Sequence, residues 1–225
     1  MKKLISLCLA MTMLLGSMVG CGKTPTSSSG NPSNSEGGGL GTPQTFKFGL
    51  TVASTHPYSI AAQNFAELVE EKSGGNMTVD LYYDSSLGDD AALMESMQMN
   101  AVTFALVGPA GIAPMCPIYE FFDLPCLFAT RDAAYAFQES EPVLELMDSL
   151  SANGLRGLGF YENGYYAISN NAKEITTVDG LNNLKLRSMT SEMAIKSWEC
   201  LNVQPVAMAF GELFMAMQTG TVDGQ

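Results

Sequence analysis

The chain has 225 residues, with 11 Lys+Arg against 23 Asp+Glu, a single His and 46% apolar residues. That describes one ordinary domain or two small ones and argues against a disordered, collagen-like or polytopic membrane protein. A formal charge of −12 leaves no basic stripe for a phosphate backbone, so no nucleic-acid partner is expected. One His also thins out catalytic and metal-binding options near neutral pH.

Lys2 and Lys3 precede an apolar run from Leu4 to Gly20, too short to span a bilayer and ending at Cys21. Basic residues, an apolar stretch and small residues in that order predict a secretory signal over residues 1–20. Met18-Val19-Gly20-Cys21 resembles the bacterial lipobox, with Met18 where Leu is usual. The resemblance implies cleavage before Cys21 and a diacylglycerol anchor on it. Removing Lys2 and Lys3 leaves 9 basic against 23 acidic residues, a charge of −14. Residues 21–45 are rich in Ser, Gly, Pro, Asn and Thr and bury too little to offset their ordering entropy, so they read as a tether.

The body alternates strand-like and helix-like runs. Phe46–Val52 suits a strand and Pro57–Lys72 a helix, with Ile60, Phe65, Leu68 and Val69 on one face and Pro57 at the first helical position. Met77–Tyr83 reads as a strand, Asp89–Asn100 as a helix and Val102–Val107 as a strand. This β-α-β-α-β order predicts an α/β body with a mostly parallel sheet. After a Pro-rich passage, Arg131–Leu150 has helical spacing, Leu155–Tyr161 reads as a strand, and Leu184–Met189, Glu192–Leu201, Val203–Ala207 and Gly211–Gln218 read as strand, helix, strand and helix. Cys116, Cys126 and Cys200 lack Cys-x-x-Cys spacing; a Cys116–Cys126 pair and buried free thiols both stay open, the thiols favoured.

A string of motifs runs through the body in order: His56-Pro57-Tyr58, Phe65 to Gly75, Leu87-Gly88-Asp89-Asp90, Phe122-Asp123-Leu124-Pro125, Gly157-Leu158-Gly159-Phe160 before Glu162-Asn163-Gly164, Leu184-Lys185-Leu186-Arg187, and Phe210-Gly211-Glu212 running on to Gln218–Gln225. Together they resemble the DctP-like solute-binding subunits of tripartite ATP-independent periplasmic (TRAP) transporters. The resemblance implies a two-lobed, type II periplasmic-binding-protein-like α/β fold, with lobe I over residues 46–158 and lobe II over 159–225. The family continues beyond the position of Gln225, so the second lobe is expected to be incomplete.

The implied function is capture of an organic acid outside the cytoplasm and delivery to integral membrane permease subunits. Arg187 is the implied carboxylate partner, and chemistry supports it: a guanidinium is a planar fork matched to a carboxylate, whereas lysine is a point charge. Asn163, Tyr166 and Phe210 match positions lining the family cleft; Met189 is expected at the pocket wall. His56 and Asp89 are weaker ligand candidates, each with a capping role as the alternative. Glu212 reads as a capping or hinge residue. Many relatives carry a second arginine where Tyr166 stands. A phenol brings no charge, which favours a monocarboxylate such as a sugar, hydroxy or keto acid over a dicarboxylate.

No G-x-S-x-G, H-E-x-x-H, P-loop or Cys-x-x-Cys occurs, so neither catalysis, a cofactor nor a metal is expected. The rival readings are a solute-binding lipoprotein of an ATP-driven importer and a ligand-sensing receptor component, which fold alone does not separate.

Overall fold

A computed structural model describes residues 42–225; the signal, Cys21 and nearly all of the tether lie outside the described residues. Strand β1 (Gln44–Gly49) lies between β2 (Met77–Tyr82) and β3 (Phe104–Ala105), and both pairings are parallel. The strand starts two residues before the sequence expectation because the Gln44 N–H reaches Asn76 O and the Gln44–Met77 pair opens the ladder.

Helix α1 (Pro57–Lys72) links β1 to β2. The His56 ring caps its start, Pro57 occupies the first turn, and Gly74 and Gly75, at φ +62° and +81°, turn the chain back after Ser73. Its packed face differs from the sequence expectation. Ser59 and Ala62 are buried, while Ile60 and Leu68 are half exposed. Small side chains at the seam let the helix approach the sheet, with the Ser59 hydroxyl satisfied by Ala53 O at 2.8 Å. Phe65 then stacks edge-on against Phe48 and Phe104, over a core of Phe48, Leu50 and Ala62. Leu50 is 1% exposed, so Leu50→Ala is expected to cost about 2–5 kcal/mol.

Helix α2 (Asp90–Gln98) precedes β3, and α3 (Pro109–Ile112) and a 3-10 turn (Pro117–Asp123) follow it. The helical stretch expected over residues 131–150 is two helices, α4 (Arg131–Gln138) and α5 (Glu141–Ser149), with a 3-10 turn beyond. Pro142 explains the break: it has no N–H to donate to the Gln138 carbonyl four residues back, and its ring would clash there, so the chain starts a new helix with Pro142 in the first turn.

The strand expected over Leu155–Tyr161 does not form. Among the described residues, positions 156–168 make no backbone–backbone hydrogen bond, because no strand lies alongside to receive them.

A second parallel pair, β4 (Lys185–Ser188) and β5 (Gln204–Ala207), packs Leu181, Leu184, Leu186 and Val203 with Ile175 and Trp198. Helix α6 (Glu192–Glu199) joins these strands, and α7 (Phe210–Gln218) follows them. Gly224 wedges between Asn170 and Leu186, bridging antiparallel to one and parallel to the other. Cys116, Cys126 and Cys200 are free. Cys126 and Cys200 are exposed rather than buried, because one sits in a left-handed turn after Pro125 and the other caps α6. No described helix is long and apolar enough to cross a membrane.

Candidate functional site

Arg187 lies on β4, opposite Val206, and is partly buried. Its Nε donates to Met208 O at 3.2 Å, at the end of β5. That bond fixes the guanidinium plane, and the terminal amino groups have no hydrogen-bond partner among the described residues. Among the described residues no carboxylate lies within 4.0 Å of it. Burial lowers the guanidinium's pKa from its ordinary value, and the nearby Tyr166 and Asp90 partly offset the shift. An arginine stays charged through such a shift. A buried cation with free donors is costly unless an anion joins it.

Tyr166 and Met189 flank Arg187. The Tyr166 hydroxyl donates to Met189 Sδ at 3.3 Å. The ring is 73% exposed, but its hydroxyl end is crowded between Met189 and Asn163. Burial of that end raises the phenol's pKa, the Asp123 charge adds to this, and Asn163 and Arg187 pull it back. Asn163 Oδ1 accepts from the Tyr58 hydroxyl at 2.9 Å. Tyr58 is pushed up to about 12, first by burial and then by Tyr166 and Glu162. Its ring stacks 4.6 Å from His56 and 5.9 Å from Tyr161. Thus His56, Asn163, Tyr166, Met189 and Arg187, separated by up to 133 positions in sequence, form one connected cluster.

Among the described residues His56 reaches this cluster through Tyr58. Its Nδ1 accepts the Tyr58 backbone N–H at 3.2 Å and so caps α1. Asp89 is turned to its own helix, with Oδ1 accepting from Ala92 N at 2.9 Å. Phe210 opens α7, half exposed, two residues beyond the carbonyl that anchors Arg187. Glu212 closes back on Ala209 N at 3.0 Å as a cap.

The acid facing Arg187 is Asp90, which sequence reasoning passed over for Asp89. Asp90 Oδ2 accepts Gly108 N–H at 3.0 Å, and its buried Oδ1 makes no hydrogen bond of normal geometry. Burial above all raises its pKa, with Asp89 adding to the effect; Gly108 N–H, Thr51 and Arg187 lower it. Gly111 packs so closely that a Cβ there would lie 2.5 Å from Asp90 Cβ. The signal was available in Leu87-Gly88-Asp89-Asp90: the first acid is consumed by the cap, so the second is the one left for other work. Tyr58 and the Met208 carbonyl were missed because their roles depend on contacts 105 and 21 positions away.

A second buried acid, Asp123, lies by Ser191 at the start of α6; burial raises its pKa and its Oδ2 is unpaired. Glu120 Oε1 accepts Glu192 N–H nearby at 3.2 Å. An open groove of about 660 Å³, lined by Ile168, Lys173 and Ile175 among others, shares only Tyr166 with the Arg187 cluster. Among the described residues no group of His, Cys, Asp and Glu has metal-binding geometry.

Residues 48–225 match the family DctP, described as bacterial extracellular solute-binding protein, family 7. The C4-dicarboxylate-binding periplasmic protein DctP of Rhodobacter capsulatus is 34% identical over 190 residues, covering 82% of this chain and 56% of the relative. Among solved structures, the sugar acid binding protein DctPAm from Advenella mimigardefordensis, in complex with galactonate, superposes with a TM-score of 0.80 at 35% identity, covering 82% of this chain and 59% of that one. A TRAP periplasmic solute binding protein from Polaromonas sp. JS666 bound to D-erythronate gives a TM-score of 0.78 at 28% identity, covering 80% and 60%. The chain thus spans a little over half the length of the relatives it matches. With the matched region running from β1 to the last residue, the chain belongs to the DctP family of bacterial extracellular solute-binding proteins.

Proposed function

We propose that this protein captures an organic acid outside the cytoplasm and delivers it to the integral membrane permease subunits of a TRAP transporter. The carrying observation is Arg187: a half-buried guanidinium whose Nε is tied to Met208 O and whose terminal amino groups have no partner among the described residues. An end-on carboxylate would supply two charge-assisted bonds there. Residues 46–158 and 159–225 act in this reading as lobes that close on the ligand, with Asn163 and Tyr166 on the segment between the two sheets. Diacylglycerol on Cys21 would hold the body at the membrane, two acyl chains being sufficient for stable anchoring.

The favoured ligand class is a monocarboxylate bearing hydroxyl or keto groups. Tyr166 and Met189 offer hydrogen bonding and polarisable surface beside Arg187 but no second positive charge. A second carboxylate would meet Asp90 rather than a cation. Galactonate and D-erythronate, bound by two of the relatives, are acids of this class.

A thermal-shift screen of galactonate, erythronate, lactate, pyruvate, succinate and neutral sugars tests the reading. Ligand at ~100 Kd adds about 2.7 kcal/mol of stability. A shift with neutral sugars and with none of the acids would sink the proposal; a shift with succinate alone would overturn the monocarboxylate assignment. Cys21→Ala should move the protein from the detergent phase to the aqueous phase in detergent partitioning.

A further inference from the structure

The segment that carries Asn163 and Tyr166 has an unusual means of support. It is tied at its start by Leu155 N–H to Leu150 O, 3.1 Å, and at its end by the reciprocal Ser169–Gln225 pair, 2.9 Å each way. Between these ties no backbone–backbone bond holds residues 156–168 among the described residues, so side chains must. Two anchors do so, on adjacent residues. Tyr58 of α1 donates to Asn163. Glu162 is held by α4, with Arg131 Nε 2.8 Å from Oε1 and the Tyr135 hydroxyl donating to Oε2. Arg131 and Tyr135 stand four apart on one helix and so share a face, which lets both converge on one carboxylate. Thr130 caps this helix through Ala133 N at 3.2 Å, fixing the turn from which Arg131 projects.

We infer that Arg131 and Tyr135 are positioning residues of the binding site: by gripping both oxygens of Glu162 they set where Asn163 and Tyr166 stand relative to Arg187. The inference rests on the ligand role proposed for Arg187. An exposed ion pair contributes little to global stability, and Arg131 and Glu162 are 58% and 37% exposed. The clamp's effect therefore belongs in binding. A segment without ladder bonds samples many arrangements when released, and the apparent Kd rises in proportion as the competent one is depopulated. If release leaves the competent arrangement populated about a tenth of the time, affinity falls about tenfold.

The test uses the full-length protein with D-galactonate in titration calorimetry, and the same variants in ligand-free tryptic cleavage after the exposed Arg156. Arg131→Met and Glu162→Gln should each raise Kd about tenfold and speed cleavage severalfold, with the ligand-free melting midpoint unchanged. Tyr135→Phe should have a smaller effect. The double variant should be no worse than either single, because both remove the same grip. Arg131→Lys should recover part of the loss. Lys196→Met, which breaks the comparably exposed Glu192–Lys196 pair on α6, should change neither readout. Wild-type binding of galactonate with unaltered Kd and cleavage in Arg131→Met and Glu162→Gln overturns the clamp. Equal losses in the Lys196 variant overturn it too. If wild type binds neither galactonate nor any other acid of the screen, the failure is that of the functional reading, which takes the clamp's purpose with it.

Discussion

The Tyr58 hydroxyl donates to Asn163 Oδ1 at 2.9 Å, joining the first turn of α1 to the segment between the two sheets across 105 positions of sequence. Tyr58 takes one of the two lone pairs of the Asn163 carbonyl oxygen, and the amide NH₂ carries two donors, so a ligand oxygen would be met by the NH₂. Tyr58→Phe keeps the ring against His56 and Tyr161 but removes this bond. A typical net hydrogen bond contributes about 0.5–1.5 kcal/mol, so ligand affinity should drop about threefold to tenfold with little change in the unliganded melting midpoint. Calorimetric titration checks this, and an unaltered Kd would show that Asn163 is placed by other contacts.

Arg187→Lys retains a positive charge while losing both the planar fork and the Nε bond to Met208 O. Affinity for the bound acid should fall by more than tenfold, and Arg187→Gln should abolish measurable binding. A lysine variant within a few-fold of wild type would mean that the contact is a point-charge attraction and not a two-bond grip.

Asp90 ties stability to pH in a direction opposite to that of a salt-bridged carboxylate. Its folded pKa is raised, chiefly by burial, so between about 3.9 and that raised value the folded state holds a proton that the unfolded state has lost. Stability from this group is therefore present at low pH and is lost as pH rises through that window. Asp123 has the same sign. Asp90→Asn keeps an acceptor for Gly108 N–H and removes the titration. Its melting midpoint should gain on that of wild type as pH rises from about 4 to 7. A difference that shrinks with rising pH would show that the charged form of Asp90 is the stabilised one.

Gly224 has no room for a side chain: an added Cβ would lie 1.9 Å from Ser169 O and 2.7 Å from Asn170 Cα. Gly224→Ala must push the 169–171 segment off the second sheet, and overpacking of this kind costs roughly 1–3 kcal/mol. Gly159→Ala, where nothing lies within 4 Å, is the matched control and should be near neutral. Urea denaturation of both variants measures the difference.

Residues with local causes were read correctly from sequence. Helix α1 runs from Pro57 to Lys72 as expected, because its start and stop are written in His56-Pro57 and Ser73-Gly74-Gly75. The parallel sheet followed from the alternation of strand and helix, which leaves few other ways to cover both faces. What failed depended on partners elsewhere in the chain. Leu155–Tyr161 has strand composition but no neighbour to pair with, and Ile60 looks like a core residue until Ser59 and Ala62 are seen to set the seam. The cluster around Arg187 was half legible: Asn163, Tyr166 and Met189 stand near it. The choice between Asp89 and Asp90 turned on which acid the helix cap consumed.

The absence of ladder bonds along residues 156–168 bears on how this site can change over time. Side chains on a strand inside a sheet are constrained by cross-strand neighbours and by burial on both faces, so altering one disturbs several others. Asn163 and Tyr166 answer to single side-chain partners, Tyr58 and Met189, and Tyr165 is exposed, so none sits in a cross-strand ladder. On the ligand role proposed for this segment, substitution there should alter recognition while the two sheets and their cores stay intact, so new ligands could be acquired one residue at a time.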